Sequence, residues 1–240
     1  MLGERLGSKK AGLITNLPSN ILVSLIFMAL TSGPGYAAES TKGVPIGMMI
    51  DTLFVLVFML AAPLGIAKAL ALALAAWALV AYCFVAVLPQ FGYVGSIVLY
   101  LAVAAGCFAI AEWGLKIRAI EKKPVRFSWK HVVIRALFAG TVVAGAVTAA
   151  QFAPPYMTGI FATFPAVLSS TLVILTLSQG AAFARATGKM LILSSSNIIV
   201  YAAVAGTSFA ALGPWLGTLC AFAAALIYIA LLSKLTAKIK

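Results

Sequence analysis

The chain has 240 residues, of which 63% are hydrophobic and only 9% are charged, and its mean hydropathy is +1.11. Because a soluble domain carries about 25% charged residues, water cannot be the solvent for most of this chain. The net charge of +12 would suggest nucleic acid in a soluble protein, but here the basic residues sit at the ends of apolar runs. We therefore expect the lipid bilayer as a partner and no nucleic acid.

The apolar runs predict an all-α polytopic membrane protein. A helix needs about 20 mainly apolar residues to cross the hydrocarbon core. A membrane β-barrel would show short strands of alternating polarity, whereas the run at residues 70–79 has no polar residue on either face. Proline and glycine punctuate the ends of the runs. Eight spans, numbered one to eight, are predicted at residues 13–33, 46–66, 69–88, 93–115, 132–152, 157–178, 190–210 and 213–233.

Charge predicts the orientation and the location of the chain. If the N-terminus is cytoplasmic, all of the 17 lysine and arginine residues except Lys42 lie on the inner side, with Arg185 and Lys189 between spans six and seven. We expect a multi-pass protein of the inner or plasma membrane with both termini in the cytoplasm. The first 38 residues imitate a secretory signal, but we expect them to be retained because the repeat described next gives them a structural partner.

An internal repeat relates the two halves of the chain at an offset of 147 residues. Both copies keep the spacing Gly-x5-Pro-x14-Gly without a gap, at residues 12–42 and 159–189. The offset equals five spans, and units separated by an odd number of crossings face opposite ways. The identities are Gly12, Pro18, Leu25, Leu30, Gly33, Ala37 and Lys42 with Gly159, Pro165, Leu172, Leu177, Gly180, Ala184 and Lys189.

These observations predict three parts of the chain. Residues 1–115 form an N-terminal membrane repeat with spans one to four, residues 116–131 form a basic cytoplasmic loop, and residues 132–240 form a C-terminal membrane repeat. Spans one to three correspond to spans six to eight in an inverted-topology repeat. Such repeats recur in secondary transporters, where two opposed halves exchange outward-open and inward-open states of one central site.

The C-terminal repeat resembles the small four-helix GlpM-like inner-membrane proteins. The resemblance rests on HVVIRALFAGTVVAG, then YMTGIFATFPAVLSSTLVILTLSQGAAFARAT, then ILSSSNIIVYAAV, in that order and spacing. The N-terminal half, beginning GLITNLPSNILVSLIF, looks like a truncated and inverted second copy. The resemblance implies a small permease-like membrane protein and does not imply a substrate.

Asp51 is the one acidic residue that lies clearly inside a predicted span. A carboxylate at the centre of a bilayer is costly, which makes it a functional candidate. One interpretation is a proton or cation site, with Asp51 ionised in one access state and protonated or hydrogen-bonded in the other. The other interpretation is that Asp51 caps or pins a neighbouring helix, for instance through Lys42. Allowing one gap, its partner in the repeat is Asn197.

The paired proline motifs are the second candidate. Proline removes a backbone donor and frees carbonyls that must find partners at membrane depth. In inverted-repeat carriers, interrupted helices place helix ends and unwound carbonyls at the substrate. A plain kink, or a proline in the first turn of a helix, is the structural alternative. The candidate residues around the two motifs are Thr15, Asn16, Pro18, Asn20, Thr163, Pro165, Ser169 and Ser170.

A polar stripe in span seven, residues 194–197, is the third candidate, with Ser195 and Asn197 as possible lining of a polar path. Small polar residues more often let helices approach and bond across an interface, so packing is the favoured interpretation. Cys83, Cys107 and Cys220 lie inside apolar runs without metal-ligand or disulfide spacing, so we expect neither a metal nor another cofactor.

The sequence favours a transporter of a small solute, ion or lipid. The alternative is a membrane scaffold or assembly factor that transports nothing. We do not expect an enzyme, because no nucleophile with a base and no acidic metal cluster is present in the sequence. The chain already contains both halves of a carrier, so we expect a monomer or a homodimer.

Overall fold

The computed structural model describes residues 16–87, 91–120, 129–149 and 151–236, which form helices and no strand. Short 3₁₀ or π segments extend several of the helices, at Thr41–Gly43, Ala62–Leu64, Cys83–Val87 and Ile110–Gly114. In chain order, the α-helices of these residues are α1 (Ser19–Ser32), α2 (Pro34–Ser40), α3 (Val44–Ala61), α4 (Ile66–Tyr82), α5 (Tyr93–Ala109), α6 (Trp129–Ala149), α7 (Pro155–Ala162), α8 (Ala166–Gln179), α9 (Ala181–Ser194) and α10 (Ser196–Leu235).

Five helical segments of the described chain are long and apolar enough to cross a membrane. The predicted class, a helical membrane protein, is confirmed at this level, and the arrangement is that of a multi-pass protein. Helix α1 is apolar but has only 14 residues, about 21 Å, which is shorter than a hydrocarbon core of about 30 Å. The five segments are Pro34–Leu64, Ile66–Ala86, Tyr93–Gly114, Pro155–Gln179 and Ala181–Leu235.

The fifth segment reverses direction at Gly213. This glycine has φ 75° and ψ 170°, a non-helical conformation that is accessible to a residue without a Cβ. Ser208 Oγ donates a hydrogen bond to the carbonyl of Gly217 at 3.2 Å. In a continuous helix, residues nine positions apart would be separated by about 13.5 Å along the axis. The chain therefore folds back between Ser208 and Gly217, near the predicted boundary of spans seven and eight.

Segment Pro34–Leu64 occupies the centre of the bundle. The most apolar stretch of 18 residues in this segment is 83% buried. The corresponding stretches of the segments that contain α4, α5 and α10 are each 22% buried. Helices α4, α5, α7 and α9 all pack against α3. Side chains on all sides of α3, among them Ile46, Met48, Met49 and Ile50, are at most 3% exposed. A polar residue on α3 is therefore enclosed by protein.

Two helical segments begin before the spans that were predicted within them. The second span, predicted from residue 46, belongs to a helical segment that begins at Pro34, and the seventh, predicted from residue 190, belongs to one that begins at Ala181. Both lysines were assigned to the segments between spans, Lys42 before the second span and Lys189 before the seventh. Lys189 instead lies within α9 and is 1% exposed, since the partly buried carboxylate of Glu112 pairs with it.

Glycines allow close contacts between α2 and α7. A Cβ at Gly159 would collide with the carbonyl oxygen of Ser40, and a Cβ at Gly43 would collide with that of Tyr156. Tyr36 adds a hydrogen bond from Oη to the Ala153 carbonyl at 2.6 Å. Small residues that bring backbones together are the usual means of packing helices in membranes. These contacts hold the chain before Pro165 against the chain after Pro18.

Candidate functional site

A small cavity lies where the two proline motifs meet. Its volume is about 40 Å³, enough for a few water molecules. Residues of both motifs, of α3 and of α10 form its wall. The residues lining it are Asn16, Leu17, Pro18, Ser19, Asn20, Ile21, Met48, Asp51, Ala162, Thr163, Phe164, Pro165, Val167, Leu168 and Ile198.

Asp51 brings a carboxyl group to this cavity from the central helix α3. The residue is 3% exposed, and Trp77 of α4 donates a hydrogen bond from Nε1 to Asp51 Oδ1 at 2.9 Å. The ring of Trp77 also meets Phe164 edge to face, with centroids 4.9 Å apart. Trp77 thus links Asp51 to the second proline motif. Asp51 thus bonds to a neighbouring helix, as the structural interpretation expected, but through Trp77 and not through Lys42, whose Nζ lies 2.6 Å from Glu39 Oε2 at the surface.

The two prolines have the same backbone conformation. Pro18 has φ −74° and ψ 45°, Pro165 has φ −76° and ψ 44°, and each precedes a helix of 14 residues. In both motifs the residue after proline donates its N–H to the carbonyl before proline at 2.7 Å, which is an inverse γ-turn. The helices end alike as well, at Gly33 with φ 95° and at Gly180 with φ 94°. The backbone therefore repeats at the offset found in the sequence.

The second proline motif interrupts a helical segment. Helix α7 ends at Ala162 and α8 begins at Ala166, so residues 163–165 are not helical. The first turns of α1 and α8 both line the cavity. The first turns of these two helices and the Asp51 carboxyl group therefore border the same small volume. This arrangement can hold a proton or a small polar group.

Asparagine side chains connect the first proline motif to the second half of the chain. Asn16 donates from Nδ2 to the carbonyl of Leu191 at 3.1 Å, and Asn197 donates from Nδ2 to the carbonyl of Asn16 at 3.4 Å. Asn20 lines the cavity, and its buried Oδ1 has no hydrogen-bond partner among the described residues. Thr163 packs against Gly47, where a Cβ would collide with its Oγ1. Asn197 supports the cavity from behind its wall.

Several predicted candidates lie away from the cavity, and Thr15 lies outside the described residues. Ser169 is buried next to the first turn of α8 but does not line the cavity, and Ser170 bonds to the Val167 carbonyl at 3.1 Å. Ser195 Oγ lies 2.7 Å from Tyr100 Oη, and Tyr228 Oη donates to Ser196 Oγ at 2.8 Å. Part of the serine stripe therefore bonds across helices, as the packing interpretation predicted.

A buried ion pair was not predicted from the sequence. Lys189 Nζ of α9 lies 2.7 Å from Glu112 Oε2 and donates to the Ile117 carbonyl at 2.6 Å. Arg118 Nη1 contacts the other oxygen of Glu112 at 3.0 Å. Two features of the sequence marked these residues, because Lys189 is the repeat partner of Lys42 and Glu112 lies near the end of an apolar run. The two partners are 77 positions apart in the sequence, so no local pattern indicated the contact.

The chain matches no protein-family model, and comparison with the curated proteins and with the solved structures finds no match either.

Proposed function

We propose that this chain is a small permease-like transporter that moves a small solute, ion or lipid by alternating access. The transport site is the cavity at the interface of two inverted repeats. Under this proposal the chain crosses the inner or plasma membrane eight times, with both termini in the cytoplasm, and it acts as a monomer or a homodimer. Its C-terminal half is proposed to be related to the GlpM-like proteins.

The cavity is the observation that carries the proposal. Residues from both proline motifs line it, together with the enclosed carboxyl group of Asp51. Carriers with inverted repeats bind substrates where interrupted helices from the two repeats meet. A scaffold needs no polar cavity of this kind, because buried polar groups at membrane depth are costly unless they serve a purpose.

The repeated backbone supports the inverted arrangement. The equivalent proline and glycine positions share their dihedral angles, and the offset corresponds to five predicted spans. A unit repeated after an odd number of crossings faces the opposite side of the membrane. Two such units can exchange conformations, which would open the shared cavity to one side and then to the other.

Replacing Asp51 with Asn tests the transport site. We expect the D51N variant to lose proton-coupled transport, because an amide keeps the size of the carboxyl group but cannot exchange a proton in the same way. The measurement uses the full chain in liposomes with an internal pH dye under an imposed membrane potential. Proton flux is measured first without any added substrate. It is then measured with one candidate substrate at a time, namely sodium, phosphate, an amino acid, a sugar or a long-chain amine.

Glu39→Gln is the matched control, since it removes a carboxylate from an exposed pair with Lys42. This variant should transport like the native chain. An unchanged rate and pH dependence for D51N would remove Asp51 from the mechanism. A native chain that moves none of the probes above protein-free liposomes, and that co-purifies with a stable membrane partner, would favour the scaffold.

A further inference from the structure

A larger apolar groove lies between α1 and α6, with Val167 of α8 in its wall. Its volume is about 680 Å³, which is within the usual range of roughly 300 to 1,000 Å³ for small-molecule sites. We call it the lateral groove. Phe27 is 49% exposed there, so the groove opens on the surface that faces lipid if these helices lie in a bilayer. Its apolar wall includes Val23, Phe27, Val143, Ala144 and Val147.

The lateral groove and the polar cavity share part of their walls. Ser19, Asn20 and Val167 line both. The side chain of Asn20 thus lies at the junction, and its buried Oδ1 has no hydrogen-bond partner among the described residues. A buried amide oxygen without a partner costs free energy, so a donor from a bound molecule would be favoured at this position. The cavity and the lateral groove are therefore neighbours that share these wall residues.

Size and chemistry restrict what such a molecule can be. The cavity has room for only a few water molecules, which excludes a sugar or a phosphate ester as the group inside it. Its wall includes the Asp51 carboxyl group, which accepts hydrogen bonds, and the amide side chain of Asn20. Acceptors select a group with N–H or O–H donors. The groove is almost wholly apolar and suits a hydrocarbon chain.

We propose that the substrate is a single-chain amphiphile that enters from the bilayer, with its hydrocarbon chain in the lateral groove and a small hydrogen-bond-donating head group in the cavity beside Asn20 and Asp51. The inference rests on the proposed transport function and names its substrate class. An amine or a hydroxyl supplies the head-group chemistry. If the substrate enters laterally from the bilayer, its hydrocarbon tail stays in an apolar environment during entry.

Photo-crosslinking in proteoliposomes tests the proposal. The probe is dodecylamine with a diazirine in the middle of its chain, and labelled peptides are identified by mass spectrometry. We expect labelling on α1 and α6 at the lateral groove, competed by unlabelled dodecylamine and dodecanol but not by dodecane. Ala144→Phe should lower labelling about tenfold, because displacing two methylene groups from the groove has an effect of that order.

Ala71→Phe is the matched control, because Ala71 is an exposed residue of α4 outside the groove. It should leave labelling unchanged. Labelling spread evenly over the lipid-exposed helices, or equal competition by dodecane, would overturn the amphiphile proposal, and neither result depends on a variant. Proton-coupled transport that is lost in D51N would then still support a transporter. Specific groove labelling without any transport would count against the transporter alone.

Discussion

Lys189→Met is expected to lower the free energy of unfolding by about 3 kcal/mol. Breaking a buried ion pair costs about 3 to 5 kcal/mol. The lower end of that range applies because Arg118 still partly neutralises Glu112 in the variant. Lys189 is almost fully enclosed and is hydrogen-bonded to both Glu112 and the Ile117 carbonyl. Its removal leaves a largely buried carboxylate and a backbone oxygen without this donor. Thermal or denaturant unfolding of the purified chain in detergent measures the change.

Lys42→Met is the control for this prediction, since Lys42 is the repeat partner of Lys189. Its pair with Glu39 is more than half exposed on both sides, and exposed pairs contribute at most about 1 kcal/mol. We expect little change in this variant. The double variant Glu112→Gln, Lys189→Met should recover part of the lost stability, because no charge is then left buried. Equal effects of the two lysine substitutions would mean that Lys189 is not enclosed as described.

Gly159→Ala is expected to destabilise the chain by about 1 to 3 kcal/mol, the usual cost of overpacking. The added Cβ would collide with the carbonyl oxygen of Ser40, which is backbone and cannot move aside as a side chain can. The contact between α2 and α7 would open, and with it the meeting of the two proline motifs. The loss should appear as a lower unfolding midpoint in detergent.

Gly106→Ala is the matched substitution, and we expect it to raise the free energy of unfolding instead of lowering it. Gly106 lies inside α5, and a Cβ there meets nothing within 4 Å. Alanine at such a position should stabilise the helix by about 0.5 to 1 kcal/mol, because it restricts the unfolded chain. A Gly159→Ala variant as stable as the native chain would show that α2 and α7 do not approach each other this closely.

The sequence predicted the main helical segments because composition and hydropathy act locally. Predicted spans at residues 69–88 and 93–115 agree within a few residues with Ile66–Ala86 and Tyr93–Gly114. The repeat also predicted that Pro18 and Pro165 correspond, and the two prolines have the same dihedral angles. That Asp51 lines the same cavity follows from tertiary packing around α3. The roles of these residues in transport remain predictions.

The contacts that the sequence did not reveal are long-range or run against hydropathy. Trp77 lies in a run of alanine and leucine, where nothing indicates that its ring nitrogen donates to Asp51. Lys189 was assigned to the segment between two spans because a lysine is costly within one. The carboxylate of Glu112, 77 positions earlier in the sequence, allows it to be buried within a helix. The lateral groove depends on how α1 and α6 pack, which no local pattern specifies.

The inverted repeat requires that the two repeats have opposite orientations in the membrane, and cysteine accessibility reports the side on which each one lies. Gly35 and Ala182 are equivalent exposed positions 147 residues apart, just after the glycines that end α1 and α8. Gly35→Cys and Ala182→Cys are made separately in a chain whose three cysteines are replaced by alanine, and intact cells are treated with a membrane-impermeant maleimide. We predict that Gly35→Cys is labelled from outside and that Ala182→Cys is labelled only in inverted vesicles. Labelling of both positions from the same side would contradict the inverted repeat and the carrier that depends on it.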